Sequence, residues 1–185
     1  MRSTLLVTLF ILITSLSFAQ QKDTEPAKKF KFFNRTGLSY TFGLNETFPN
    51  QKVNALHVKT VVGLTMPQVG FGIGLENGSF KSSTGSGANF NTLAFTGNLH
   101  VLAKPIETKE LNFFAKGAAG YAVSISRYYD KGLTYEGAVG GILTTKKGGR
   151  YFLQALYNYQ SFDDFSNASG KIYVQSIGLG IGSWF

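Results

Sequence analysis

The feature of this sequence that most constrains its fold is a repeated alternation of apolar residues with small or polar ones. The alternation recurs in eight segments, at residues 35–44, 55–64, 69–76, 92–102, 111–123, 133–144, 151–159 and 171–185. A period of two is that of a β-strand, whose successive side chains point to opposite faces. Glycines recur within the same segments, where each would cost a helix about 1 kcal/mol. The pattern therefore predicts an all-β chain with eight strands.

The two faces of each predicted strand differ in composition. In the segment at 35–44 one face is apolar and consists of Leu38, Tyr40, Phe42 and Leu44. The opposite faces are mostly Gly, Ala, Ser, Thr, Asn and Gln, and only 15% of the chain is charged. A soluble lipocalin-like barrel would need about 25% charged residues to cover its outside. The composition instead favours an eight-stranded antiparallel up-and-down transmembrane β-barrel, with the apolar face toward lipid.

The connections between the predicted strands alternate in length. Three are short, at residues 65–68, 104–110 and 145–149. The other four are longer and rich in Gly, Ser and Asn, at residues 45–54, 77–89, 124–132 and 161–171. Short periplasmic turns and longer outer loops are typical of bacterial outer-membrane barrels, whose strand number is even. The lengths therefore predict that both ends of the barrel domain lie on the periplasmic side.

The first residues have the layout of a secretory signal peptide. Arg2 precedes an apolar run, which ends at the small residues of a cleavage site, Ser17-Phe18-Ala19. The run is shorter than the ~20 residues that a membrane-spanning helix needs. We expect a cleaved signal peptide at 1–19, a short flexible periplasmic segment at 20–32 and a barrel domain at 33–185. There is no cysteine, so a disulfide-held secreted scaffold is excluded.

The last predicted strand carries the most specific pattern. Apolar residues occupy every second place before a C-terminal aromatic residue, at Ile177, Leu179, Ile181 and Phe185. With its strand count and loop lengths, the chain resembles the small eight-stranded outer-membrane barrels of the OmpA-transmembrane-domain and OmpX type over residues 33–185. The resemblance implies a location in the bacterial outer membrane and recognition of the last strand by the outer-membrane insertion machinery. Ser183 departs from the family pattern, because an apolar or aromatic residue is common there.

The charged residues of the polar face are few and of both signs. With the two histidines they are predicted to form a polar network in the lumen: Arg35, His57, Lys59, Glu76, His100, Lys116 and Glu136. Eight strands enclose a space just wide enough for side chains to fill, so we expect a plugged lumen. We find no catalytic constellation and no metal or cofactor motif, and expect neither an enzyme nor a cofactor. Asp163–Asp164 is interpreted as part of a solvated loop, because calcium takes about 6–8 oxygen ligands.

Aromatic residues gather near both ends of the predicted strands, which is typical of the girdles at membrane interfaces. Those at the periplasmic end are Phe32, Phe33, Tyr151, Trp184 and Phe185. Those at the other end are Phe80, Phe90, Tyr128, Tyr129, Phe162 and Phe165. An alternative interpretation is a contact surface for a protein partner, since exposed aromatic residues and Arg are enriched at interfaces. That surface would consist of Arg127, Tyr128, Tyr129, Phe162 and Phe165.

The net charge of the chain and the composition of the predicted lumen leave two hypotheses about the function open. The formal net charge is +8, but the basic residues are dispersed along an exported chain, so nucleic-acid binding is not expected. The first hypothesis is a structural or interaction role, through surface loops or as an accessory subunit of an envelope complex. The second is a lipid-modifying enzyme or a narrow small-solute channel that uses the lumen. A glycine-rich lumen without a triad favours the first, and outer-membrane lipid is an expected partner in both.

Overall fold

The computed structural model of the protein describes residues 30–48, 51–83, 89–106, 111–123, 131–146, 148–163 and 170–185. Every regular element within these ranges is a β-strand. The strands are β1 (Lys31–Gly43), β2 (Glu46–Phe48), β3 (Gln51–Thr65), β4 (Val69–Ser82), β5 (Phe90–Leu102), β6 (Asn112–Val123), β7 (Lys131–Thr144), β8 (Arg150–Asp163) and β9 (Ile172–Trp184).

The strands form a closed antiparallel barrel. Consecutive strands from β3 to β9 are hydrogen-bonded, and β1 pairs with both β9 and β3. The short strand β2 only extends β3 at one end, so eight strands make the wall. At the seam, main-chain hydrogen bonds of 2.7 and 2.8 Å join Asn34 and Phe185. The predicted eight-stranded up-and-down barrel is confirmed, and the last residue is bonded into its wall.

The strands extend beyond the predicted segments at the end that carries the long connections. β3 and β4 already pair at Val53 and Ser82, although the sequence places residues 77–82 in a loop because their side chains do not alternate. Main-chain pairing continues there because the ladder needs only backbone groups once the register is set. At the other end, β1 begins at Lys31, slightly before the predicted boundary of the barrel domain.

The outer surface of the barrel is apolar. The exposed fraction reaches 73% for Ile73 and 69% for Phe32. The predicted outward face of β1 is also exposed, with fractions of 45% for Leu38 and 55% for Phe42. An apolar surface that continues around the whole wall is unfavourable in water and matches the hydrocarbon of a bilayer. In the ranges given above, no helix is long and apolar enough to cross a membrane.

Several aromatic residues predicted for the girdles lie inside the barrel instead. The prediction is wrong for Phe33, Phe80, Phe90 and Phe162, each of which is at most 3% exposed, while Trp184, whose alternation with Phe185 predicts a side chain directed at the lumen mouth or the periplasmic rim, is 1% exposed. The reason is strand geometry, since successive side chains point to opposite faces. Because Phe32 points outward, its neighbour Phe33 points into the lumen. Tyr151 and Phe185, by contrast, are exposed at 56% and 65%.

Two glycines make room for an interior aromatic ring. Gly37 and Gly182 lie opposite each other across the seam between β1 and β9. A Cβ atom on Gly37 would lie 2.7 Å from Cζ of Phe152, and one on Gly182 would lie 2.6 Å from the same ring. The ring of Phe152 therefore occupies the space that larger residues at these two positions would need.

Candidate functional site

The interior of the barrel has a polar layer between two apolar clusters. We name the cluster at the end where β1 begins and β9 ends the proximal plug; it consists of Phe33, Val61, Leu102, Ile106, Phe114, Ile142, Phe152 and Trp184. The cluster at the opposite end is the distal plug and consists of Val53, Ala55, Phe80, Phe90, Ala94, Ala122, Phe162 and Val174. Large side chains therefore fill the lumen at both ends.

The distal plug is built around three phenylalanine rings. Phe80 and Phe90 face each other across β4 and β5, and their rings stack with centroids 4.8 Å apart and an interplanar angle of 2°. Phe162 meets both rings edge-on, with centroid distances of 5.9 and 5.3 Å. The ring of His57 packs edge-on against Phe80 at 5.5 Å and joins this plug to the polar layer.

The polar layer contains a continuous network of ionic side chains. His57 Nδ1 lies 2.9 Å from Glu76 Oε1, and Lys59 Nζ lies 3.4 Å from Glu76 Oε2. The same Lys59 Nζ lies 3.7 Å from Glu136 Oε2, and Lys116 pairs with the other oxygen of Glu136. All five side chains are at most 10% exposed. The network therefore crosses the lumen from β3 and β4 to β6 and β7.

Arg35 lies between this network and the proximal plug. Its guanidinium donates a hydrogen bond to the amide oxygen of Gln154. Its Cζ atom lies 4.8 Å from the ring centroid of Phe114, 4.2 Å from that of Phe152 and 5.1 Å from that of Trp184. A cation at these distances from aromatic faces gains about 1–2 kcal/mol when it is removed from water. The proximal plug is thus an aromatic cage around a buried cation.

His100 belongs to the proximal plug rather than to the ionic network. Its ring packs edge-on against Phe33 at 4.9 Å and against Trp184 at 4.7 Å. Its Nε2 atom lies 3.4 Å from Thr65 Oγ1. The structure thus buries all seven residues of the predicted lumenal network, joins five of them through ionic contacts and places the other two beside the aromatic cage.

Two glutamines of β8 complete the polar layer. Gln154 is on the predicted polar face, but its contact with Arg35 joins positions 119 residues apart, and no local signal indicates that contact. Gln160 Nε2 donates to Glu76 Oε1 at 3.3 Å and to Thr134 Oγ1 at 3.2 Å. Sequence reasoning missed Gln160, which follows the last segment residue by one. Extending the alternation of β8 would have placed it in the lumen.

Comparison with known proteins supports the fold of this chain and concerns its architecture alone. No family model and no curated protein matches the chain. The crystal structure of the outer membrane protein OprG from Pseudomonas aeruginosa is similar, with a TM-score of 0.51 over 88% of this chain and 99% of that chain. The chain has the fold of a small outer-membrane β-barrel. The sequence identity to OprG is 11%, so the likeness concerns architecture alone.

The predicted insertion signal lies on the outside of the barrel. Ile177, Leu179, Ile181 and Phe185 are 49%, 63%, 58% and 65% exposed. The inward positions that follow Ile177 are Gly178, Gly180 and Gly182, and then the buried Trp184. The last strand therefore presents a ridge of apolar side chains to the surroundings, interrupted at Ser183. Recognition of this ridge by the insertion machinery stays a prediction.

The predicted contact surface of the barrel loses one residue. Phe162 is 0% exposed and packs in the distal plug, because it continues the inward alternation of β8 after Asn158 and Gln160. It therefore cannot present its ring to a partner. The remaining members, Arg127, Tyr128, Tyr129 and Phe165, lie outside the described residues.

Three residues inside the barrel have the contacts of a hydrolase triad. Thr41 Oγ1 lies 3.3 Å from His57 Nε2, and His57 Nδ1 lies 2.9 Å from Glu76 Oε1. A nucleophile must also be reachable by its substrate. Thr41 is 0% exposed, and its hydroxyl also lies 3.4 Å from the Ala55 carbonyl. The arrangement is thus a buried hydrogen-bonded chain. Among the described side chains, no group of three potential metal ligands is close enough to hold an ion.

Proposed function

We propose that this protein is a closed barrel of the bacterial outer membrane with a structural or interaction role, exported by the cleaved signal peptide at 1–19. The observation that carries the proposal is the filling of the lumen along its length by the proximal plug, the ionic network and the distal plug. A solute channel would need a continuous aqueous path through the same space.

Opening such a path would require changes in all three layers. The two plugs are apolar and packed, and charges in the ionic network are already engaged with opposite charges across the lumen. Separating a buried pair from its partner costs about 3–5 kcal/mol. Because side chains fill the lumen, the surfaces available for function are the apolar wall and the distal rim, which is the end of the barrel with the long connections.

The distal rim contains one connection whose shape the structure describes. After β1, the side chain of Asn45 accepts a hydrogen bond of 2.7 Å from the Gln175 amide and donates one of 2.9 Å to the Tyr173 carbonyl. These bonds attach the β1–β2 turn to β9 on the other side of the seam. A loop held in this way presents a defined surface, which supports an interaction role with an envelope partner.

Planar-bilayer recording tests the closed lumen. We expect the purified protein to show no conductance at the level of an open porin. Alanine at Phe80, Phe90 and Phe162 removes the distal plug, and alanine at Phe33, Phe114 and Trp184 removes the proximal one. Each triple variant alone should stay closed because the other plug remains. Stable open-porin conductance of the unmodified barrel would refute the proposal.

The interaction role is tested by isolating the protein from detergent-solubilised membranes of its own host. We expect a stoichiometric partner that is lost when the β1–β2 turn is replaced by a short glycine turn. The matched control is replacement of the turn at 145–149 at the proximal end, which should leave the partner bound. If the protein is monomeric with and without the β1–β2 turn, and if it changes the chemical structure of added phospholipids, the lipid-modifying alternative is favoured.

A further inference from the structure

The ionic layer of the lumen contains an excess of positive charge. Among the described interior residues it contains Arg35, Lys59 and Lys116 against Glu76 and Glu136. His57 and His100 add no negative charge in either protonation state. Each of these side chains is nearly or fully buried. An uncompensated charge in such surroundings is costly, because it has lost water without gaining a counter-charge.

A small cavity lies where the three cations meet. Its volume is about 20 Å³. The polar side chains in its lining are Arg35, Ser39, Lys59, Lys116, Glu136 and Gln154. One water molecule needs about 10–15 Å³ of such space. The cavity can therefore hold a single small ligand and has no room for a polyatomic one.

The cations around this cavity have bonding capacity to spare. Lys59 Nζ is buried and makes no hydrogen bond within the described part of the chain, although two carboxylates lie within 4 Å. Arg35 donates to a neutral amide oxygen, that of Gln154, rather than to a carboxylate. The carboxylate of Glu136 also lines the cavity, but it is already shared by Lys59 and Lys116. Lys59 therefore has N–H groups without an acceptor beside the cavity, and the nearby carboxylates of Glu76 and Glu136 contact the lysines through ionic pairs.

We propose that this cavity binds one small monovalent inorganic anion of the halide class. Arg35, Lys59 and Lys116 provide the counter-charge, and the hydroxyl of Ser39 borders the same space. The anion balances the three cations and two carboxylates, so the buried layer becomes neutral. It enters when the strands close during folding, since both plugs cover the layer in the finished barrel. This inference does not depend on the proposed function.

Bromide in place of chloride gives a direct test. The mature protein is refolded and crystallised in sodium bromide, and anomalous diffraction is recorded at the bromine absorption edge. We expect one bromide peak in the cavity of the unmodified barrel and its loss in Lys59→Gln. The matched control is Lys131→Gln, on the exposed start of β7, which should keep the peak. Electron density in the cavity without an anomalous signal would identify a water molecule and overturn the proposal.

A solution measurement keeps the test independent of crystals and of variants that fail to fold. Thermal unfolding of the unmodified barrel in micelles is compared in sodium chloride and in sodium gluconate of equal ionic strength. An anion that binds only the folded state at about 100 times its Kd raises the folding constant about 100-fold. We expect a higher Tm in chloride, and the same difference in Lys131→Gln. Equal Tm values in the two salts would also overturn the proposal.

Discussion

The two plugs close the same lumen by different physical means. The distal plug contains only apolar side chains, with one stacked and two edge-on phenylalanine pairs. The proximal plug surrounds a guanidinium and a histidine with aromatic rings. The first closure depends on apolar burial alone, whereas the second also depends on a buried charge. The proximal end is therefore expected to be the more sensitive to changes in charge.

The largest effect is expected at Trp184, which touches the ring of Phe114 and the guanidinium of Arg35. Trp184→Ala removes a buried aromatic residue, at about 3–5 kcal/mol, and a cation–π contact of about 1–2 kcal/mol. Phe162→Ala removes only the apolar part. Urea unfolding in lipid vesicles should show the larger loss for Trp184→Ala. A larger loss for Phe162→Ala would contradict the charge dependence of the proximal plug.

The next effect is expected in the layer between the plugs. Glu136→Gln leaves Lys116 and Lys59 without one of their carboxylates, and losing one partner of a buried pair costs about 3–5 kcal/mol. The same substitution at Glu46, which is exposed on β2, should change the free energy of unfolding by less than about 0.5 kcal/mol. Replacing Lys116 and Glu136 together by Met should recover most of the loss. If it recovers nothing, the pair is not what stabilises the layer.

A smaller effect is expected at the glycines that accommodate Phe152. A Cβ on Gly182 would overlap the Thr36 carbonyl and lie 2.6 Å from the Phe152 ring, and overpacking costs about 1–3 kcal/mol. Gly137 faces open space on the outer wall, with nothing within 4 Å of an added Cβ. Gly182→Ala should therefore lower stability to urea while Gly137→Ala leaves it unchanged or raised. Equal behaviour of the two variants would argue against tight packing at the proximal end.

The smallest effect is expected at the distal rim. Asn45→Ala removes two hydrogen bonds that attach the first turn to β9, which lowers the free energy of local opening of this turn rather than that of global unfolding. Hydrogen exchange of the Gln175 amide should become faster, while the urea midpoint changes little. Thr47→Val, which loses only a 3.4 Å contact to the Tyr173 carbonyl, serves as the control. A global loss of stability would mean that the turn contributes to the closure of the barrel itself.

Particular residues show how far the sequence could be read. The alternation correctly predicted that Leu38 points outward and Lys59 inward, because a strand allows only two directions for a side chain. The prediction failed for Phe80 and Phe90, which were assigned to a girdle from their position near a strand end and not from the alternation. Position along a strand says how deep a residue lies, and only parity with the rest of the strand says which face it occupies.

The sequence by itself determined the eight strands, the apolar outer face and the polar lumen. A period of two requires strands, and the scarcity of charged residues on the opposite face directs the apolar face toward lipid rather than into a core. Only the tertiary structure decided which inward side chains meet, such as Arg35 with Gln154 across the seam region. Those contacts depend on how register and curvature bring opposite walls together, and no local pattern in a strand encodes the distance across a lumen.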